Sequence, residues 1–288
     1  MYHFEVKSPT SLTEALSIMD QYGKDIEPLA GGTDVLIMVR NNLGKWGKVP
    51  MMLNVHSIPG MDFINEKDET IEIGPSVTHT HVLQNPIIKE NFPALIKAVE
   101  NVGSPQIRNL GTIIGNFVRG SPAADTLCLL YTREAKIRIQ TINSEEDIPI
   151  RDFLVGPGQT VLPENGLVTK LIVPKLPGYQ SDYVSLRQRN ALSIVVMSIA
   201  VEVLFNEEKS QINDIRIALG AVAPTILRAH NTEQLLKSQK LTKDLIVEAE
   251  KLITSECIPI TDVRSNKKYR QAMTGVLLGR ILRKMIES

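Results

Sequence analysis

The sequence predicts two α+β domains, on three observations. At 288 residues the chain is long for a single core, given roughly 100–200 residues per domain. Segments with helical spacing alternate with short β-like runs, without a visible internal repeat. Between Pro174 and Asp182 the chain reads Pro-Lys-Leu-Pro-Gly-Tyr-Gln-Ser-Asp, dense in turn formers, which places a boundary between domains at 1–176 and 180–288.

The first element is a helix. Ser11 and Glu14 have capping-box spacing, Leu12, Ala15, Leu16 and Met19 fall on one face, and Gly23 ends it. Strands are expected at Met52–Val55 and Thr70–Ile73, each near Pro or Gly. Phe92, Leu95, Ile96 and Val99 mark a second helix, and the alternation in Ala135–Gln140 suggests an edge or half-buried strand. Past the boundary, strands are expected at Ile194–Val201, at Val201–Phe205 leading into a hairpin at Asn206-Glu207-Glu208, and at Ile215–Val222. Two apolar stripes close the chain as helices: Leu245, Ile246, Ala249, Leu252 and Ile253, then Tyr269, Met273, Val276, Leu277 and Ile281.

Charge excludes several classes. Lys and Arg together number 32, as do Asp and Glu, and a neutral chain lacks the basic face a nucleic-acid binder needs. No apolar run approaches the roughly 18 residues of a membrane span. Neither a basic start nor an apolar stretch marks the N-terminus as a secretory signal, so a cytoplasmic protein is expected. Cys128 and Cys257 are too few for a disulfide framework or an iron–sulfur cluster, and Cys128, among leucines, reads as a buried inert thiol. His79 and His81 would point the same way on a strand, yet no third ligand stands near them, so no metal site is expected. The run Ser144-Glu145-Glu146-Asp147 reads as a solvated loop. No acid–base pair or nucleophile stands out, so no catalytic residue is assigned.

Two glycine-rich segments carry chemistry. In Ala30-Gly31-Gly32-Thr33-Asp34, paired glycines allow a tight turn that brings successive N–H groups to an anion, and the Thr33 hydroxyl adds a donor. Such a nest holds phosphate without Lys or Arg, which suits a neutral chain. The second segment runs from Arg108 to Asp125. Gly111 and Gly115 allow close backbone approach, Thr112 and Asn116 offer hydrogen bonds to phosphate or sugar, and Asp125 suits ribityl or ribose hydroxyls. Either segment alone reads as a turn. Together they point to a ligand with a pyrophosphate and a polyol.

At these residues the sequence resembles a known family. Leu29-Ala-Gly-Gly-Thr-Asp-Val-Leu36, Arg108-Asn-Leu-Gly-Thr-Ile-Ile-Gly-Asn116 and Pro122-Ala-Ala-Asp125 are similar to the FAD motifs of the molybdenum hydroxylase flavoproteins. These are the medium, FAD-binding subunits of xanthine, carbon monoxide and nicotinate dehydrogenases. Arg189-Asn190-Ala191-Leu192-Ser193-Ile194 and Asp262-Val263-Arg264 with Tyr269-Arg270 resemble the family's C-terminal domain.

The resemblance implies a two-part FAD domain of the vanillyl-alcohol-oxidase (PCMH) type, followed by a smaller α+β domain. It implies that Leu29, Ala30, Gly31, Gly32, Thr33, Asp34 and Val35 wrap the pyrophosphate, and that Val102, Gly103 and Ile107 line the nucleotide. Gly111, Thr112, Gly115, Asn116 and Val118 would hold phosphate and ribityl, with Ala124 and Asp125 beyond. Leu167 and Val168 would pack near the adenine or flavin.

Three positions depart from the family. Ile114 stands where relatives usually have glycine, which argues against positive φ there. Ser185, near the flavin, stands where many have lysine, and Ser193 where many have aspartate. The lysine loss removes a positive charge able to stabilise reduced flavin.

The implied function is electron transfer in a purine (xanthine) dehydrogenase-like heterotrimer. Electrons would come from 2Fe–2S clusters on a small two-cluster subunit, themselves fed by a large molybdopterin-binding subunit. They would leave through noncovalent FAD to NAD+, with ferredoxin or quinone as other acceptors. No His lies in either motif to attach flavin covalently. The alternatives are a stand-alone FAD-dependent oxidoreductase of the same domain type and a flavin-free binding module.

Overall fold

The computed structural model describes residues 3–43, 49–189 and 192–287. Asn190 and Ala191 of the family motif, and Met1 and Tyr2 of the N-terminal reading, lie outside them. The first layer is a small parallel sheet. β1 (Glu5–Lys7) and β2 (Ile26–Leu29) flank β3 (Met51–Asn54), and α1 (Leu12–Tyr22) packs its Ala15, Leu16 and Met19 face into their core. The helix starts as its sequence dictates. Ser11 Oγ accepts from Glu14 N at 3.1 Å, while the Glu14 carboxylate reaches back to Thr10, one residue earlier than a standard capping box. The apolar run after the first glycine segment forms α2 (Val35–Arg40).

A second, antiparallel sheet begins with β4 (Ile64–Glu66) and β5 (Thr70–Ile73). Six short helices follow: α3 (His79–Gln84), α4 (Pro86–Asn91), α5 (Pro93–Glu100), α6 (Pro105–Leu110), α7 (Ile113–Val118) and α8 (Leu127–Thr132). Pro at the first turn starts α4, α5 and α6, because it supplies a helical φ and lacks an N–H that would have no partner there. The chain returns through β6 (Lys136–Gln140), β7 (Glu145–Pro149), α9 (Ile150–Phe153), the ribbon β8 (Leu154–Gly156) with β9 (Gln159–Thr160), and β10 (Leu167–Pro174). The sheet order is β4-β5-β10-β6-β7. Of the two readings of the Ala135–Gln140 alternation, the half-buried strand holds: β6 buries Ile137 and Ile139 and lies inside the sheet, not at its edge. The acidic run expected as a loop is instead the edge strand β7, whose Glu145 and Asp147 both pair with Arg138 of β6. Pairing to an arginine across the ladder suits an exposed edge.

The last unit is a sheet of β11 (Gln180–Leu186), β12 (Met197–Phe205), β13 (Ile212–Gly220) and β14 (Leu227–Arg228), covered by α10 (His230–Leu236), α11 (Lys243–Glu256) and α12 (Lys267–Glu287). The two strands expected over Ile194–Phe205 are one. β12 begins at Met197, opposite Leu186, and Ile194 stays outside it, 67% exposed. Tyr269 and Val276 of the second apolar stripe are exposed, and Arg270, Thr274 and Leu278 are buried in their place.

β12 is buried on both faces. Met197, Ile199, Val201 and Val203 pack toward the closing helices, while Ser198, Ala200 and Glu202 face α8. On that second face Cys128 Sγ lies 3.3 Å from Ser198 Oγ, and burial pushes its thiol up to about 12, as expected of an inert thiol. On the same face Arg133 Nε donates to Glu202 at 2.6 Å, both side chains fully enclosed, with the Arg133 guanidinium over the Phe92 ring. Removing one partner of such a pair leaves a buried charge unpaired. Glu202→Ala is therefore expected to destabilise the chain by roughly 3–5 kcal/mol in urea denaturation, while Arg133→Met combined with Glu202→Leu recovers most of the loss.

Candidate functional site

A cavity of about 950 Å³, at the upper end for small-molecule and cofactor sites, opens where the three sheets meet. One wall is the turn between β2 and α2; a second is the segment from α6 through α7 to Asp125. The start of β10 and the segment following β11 complete it. The two glycine segments touch. A Cβ on Gly31 would stand 2.7 Å from Gly111 Cα, and closer still to the Leu110 carbonyl, so only glycine lets the two backbones meet. Gly32, with φ of +68°, turns the chain just beyond. Among the described residues, the N–H groups of Gly31, Gly32, Thr33 and Asp34 have no acceptor. Four successive donors without acceptors, on a turn lining a cavity, fit an anionic ligand.

All the cofactor residues expected from sequence line this cavity except Leu29 and Ser185. Leu29 stands behind the wall, its side chain against Gly32. Several of the others are already engaged. Thr112 Oγ1 caps α7 by accepting from Gly115 N at 3.0 Å; Asn116 Oδ1 accepts from Thr126 Oγ1 at 2.8 Å; Asp34 pairs with Arg119. Ile114 lies inside α7, where no positive φ is required, so its departure from the family pattern leaves the backbone unaffected.

Asp125 does not cap α8. Its Oδ1 accepts from the Tyr183 hydroxyl at 2.8 Å and from Arg187, both beyond the sequence boundary. Burial raises its pKa, against the opposing pull of Arg187 and Tyr183. Arg187 also donates to Ser185 Oγ at 3.0 Å and to the Ser193 carbonyl. A guanidinium thus stands two residues beyond Ser185, paired with the Asp125 carboxylate. Arg187 lines the cavity, and Ser185 orients it from behind.

Sequence reasoning did not anticipate His79. The pair His79 and His81 lies on helix α3, so the two rings face different ways, and among the described residues no group could hold a metal ion. His79 is 2% exposed and lines the cavity. Burial, with Arg108 adding to it, lowers its pKa from 6.5 to about 4. Because the folded chain binds this proton less readily than the unfolded chain, stability is complete above pH 6.5 and falls as pH drops toward 4. The loss should reach about 3 kcal/mol in denaturation across that window, and His79→Leu should remove that part of the slope.

The fold and this cavity are those of a flavin-binding protein. The family model for the FAD binding domain in molybdopterin dehydrogenase matches residues 2–176, and that for the CO dehydrogenase flavoprotein C-terminal domain matches 183–285. The carbon monoxide dehydrogenase medium chain of Hydrogenophaga pseudoflava is 29% identical over 97% of this chain and 96% of its own length, and the solved carbon monoxide dehydrogenase of that organism superposes with a TM-score of 0.91. The nicotinate dehydrogenase FAD-subunit of Eubacterium barkeri is 32% identical over 68% of this chain and 67% of its own length. This chain belongs to the FAD-binding medium subunits of the molybdenum hydroxylases.

Proposed function

We propose that this chain holds one noncovalent FAD in the cavity between its glycine segments and serves as the electron-transfer subunit of a xanthine dehydrogenase-like hydroxylase. Residues 1–176 would form the FAD domain and 180–288 the second domain. The observation that carries the reading is the junction of Gly31 with Leu110 and Gly111, beside four N–H donors without acceptors. Gly31 to Val35 would receive the pyrophosphate. Gly111, Thr112, Gly115, Asn116 and Val118 would hold phosphate and ribityl, with Val102, Gly103 and Ile107 along the nucleotide. Ala124 and Asp125 would lie beyond, and Leu167 and Val168 would supply the apolar packing. Bound FAD supplies a redox carrier between the 2Fe–2S clusters of a small subunit and NAD+. The protein's part is to bind, orient and tune. Arg187, fixed by Asp125, Ser185 and the Ser193 carbonyl, keeps a cation at the wall.

A large molybdopterin-binding subunit and the small cluster-bearing subunit complete the assembly, and purines are the proposed substrate. No helix among the described residues is long and apolar enough to cross a membrane. Leu192 and Ile194, 56% and 67% exposed at the cavity rim, give a partner an apolar approach.

The purified chain should be yellow and release one FAD per chain on denaturation. It should pass electrons from NADH to a dye without hydroxylating purines. Reduction by ferredoxin but not NADH would replace the acceptor; hydroxylation by the lone chain, free of molybdenum, would refute the assignment. Asp125→Ala should weaken FAD binding by roughly 1.5–3 kcal/mol in a fluorescence titration, and lower the stability of the FAD-free chain because Arg187 loses its carboxylate.

A further inference from the structure

His79 stands at the point where the two glycine segments meet. It is the first residue of α3, and its backbone N donates to the Gly111 carbonyl at 2.9 Å. A Cβ built on Gly111 would lie 3.2 Å from Thr33 Oγ1 and 3.4 Å from His79 Cδ2, so the ring, the hydroxyl and both glycine segments converge.

The surroundings of the ring favour one tautomer. Nδ1 is completely buried and has no partner among the described residues. Nε2 also lacks a partner among the described residues, yet is not enclosed, so it faces the cavity the ring lines. A neutral imidazole carries one N–H. On Nδ1 it would be a buried donor without an acceptor, the rarer and costlier arrangement; on Nε2 it leaves only a lone pair unmatched.

We propose that His79 is a binding residue for the FAD pyrophosphate, donating Nε2–H to a phosphate oxygen beside the N–H groups of the first glycine segment. This rests on the placement of the cofactor proposed above. It also gives a buried polar ring a purpose, since among the described residues His79 bonds only through its backbone. A ring kept for packing would be served as well by a phenyl group.

The test compares His79→Phe, which keeps a ring, with His79→Gln, whose amide N–H reaches about where Nε2 stands. FAD and ADP, the latter carrying a pyrophosphate without flavin, are titrated into the cofactor-free full chain. His79→Phe should weaken both by roughly 10- to 100-fold, the range for a hydrogen bond to a charged group. His79→Gln should stay within about threefold of wild type.

Thr33→Tyr, which fills the cavity at the first glycine segment, separates the two readings. If it abolishes FAD binding while His79→Phe binds both ligands normally, the role of His79 is overturned and the cofactor placement stands. If Thr33→Tyr also binds FAD normally, the placement itself falls, and this proposal with it. Should His79→Phe fail to fold, nitrogen-15 spectra of histidine-labelled wild type decide. The Nε2–H tautomer, with its proton moving downfield on FAD addition, is expected; an Nδ1–H tautomer, or no response, overturns the proposal.

Discussion

The close approach of Gly31 to the Leu110–Gly111 backbone is the constraint on which the site depends. Two turns, separated by nearly eighty residues, form one continuous wall only because no side chain stands between them. Any larger residue at Gly31 would push the β2–α2 turn off the α6–α7 segment and separate donors that now share one surface. The remaining architecture works to hold these turns in register. The parallel sheet presents one of them at the end of β2, and α3 holds the other through the His79 amide and the Gly111 carbonyl.

A second constraint joins the halves of the chain. Arg133 and Glu202 meet in a fully enclosed pair between α8 and β12, and Asp182 of β11 takes Lys97 from α5 and Lys284 from α12. These contacts fix β11 against the N-terminal helices, and the strand delivers Tyr183 and Arg187 to Asp125. The last wall of the cavity is thus built by the half of the chain that contains neither glycine segment.

What the sequence shows is governed by the range of each interaction. The glycine segments were legible because their chemistry is local: adjacent glycines, a neighbouring hydroxyl and an absence of basic residues already describe an anion nest. α1 was legible for the same reason, with its cap and its apolar face both written within twelve residues. Asp125 was identified as a ligand candidate but not its partners, since Tyr183 and Arg187 lie 58 and 62 residues away and no local pattern links them. His79 was not singled out as a ligand residue, because its placement depends on an element the sequence does not fix. Two histidines two apart share a face on a strand and diverge on a helix, and the six-residue α3 is too short to show a helical repeat. The single strand Met197–Phe205 looked like two because Ser198 and Glu202 interrupt an apolar run, although both are buried against partners supplied by α8 and its C-terminal end.

The construction of the cavity from both halves has a thermodynamic consequence. A ligand filling the cavity would touch the β2–α2 turn, the α6–α7 segment and the stretch after β11 at once, so opening the interface between the halves would also release it. Mass action then makes the ligand a fastener: each tenfold rise in its free concentration above the dissociation constant adds about 1.4 kcal/mol against separation of the two halves. Saturation with cofactor would merge the unfolding of both parts into a single event, and the loaded subunit would meet its partners as one rigid body.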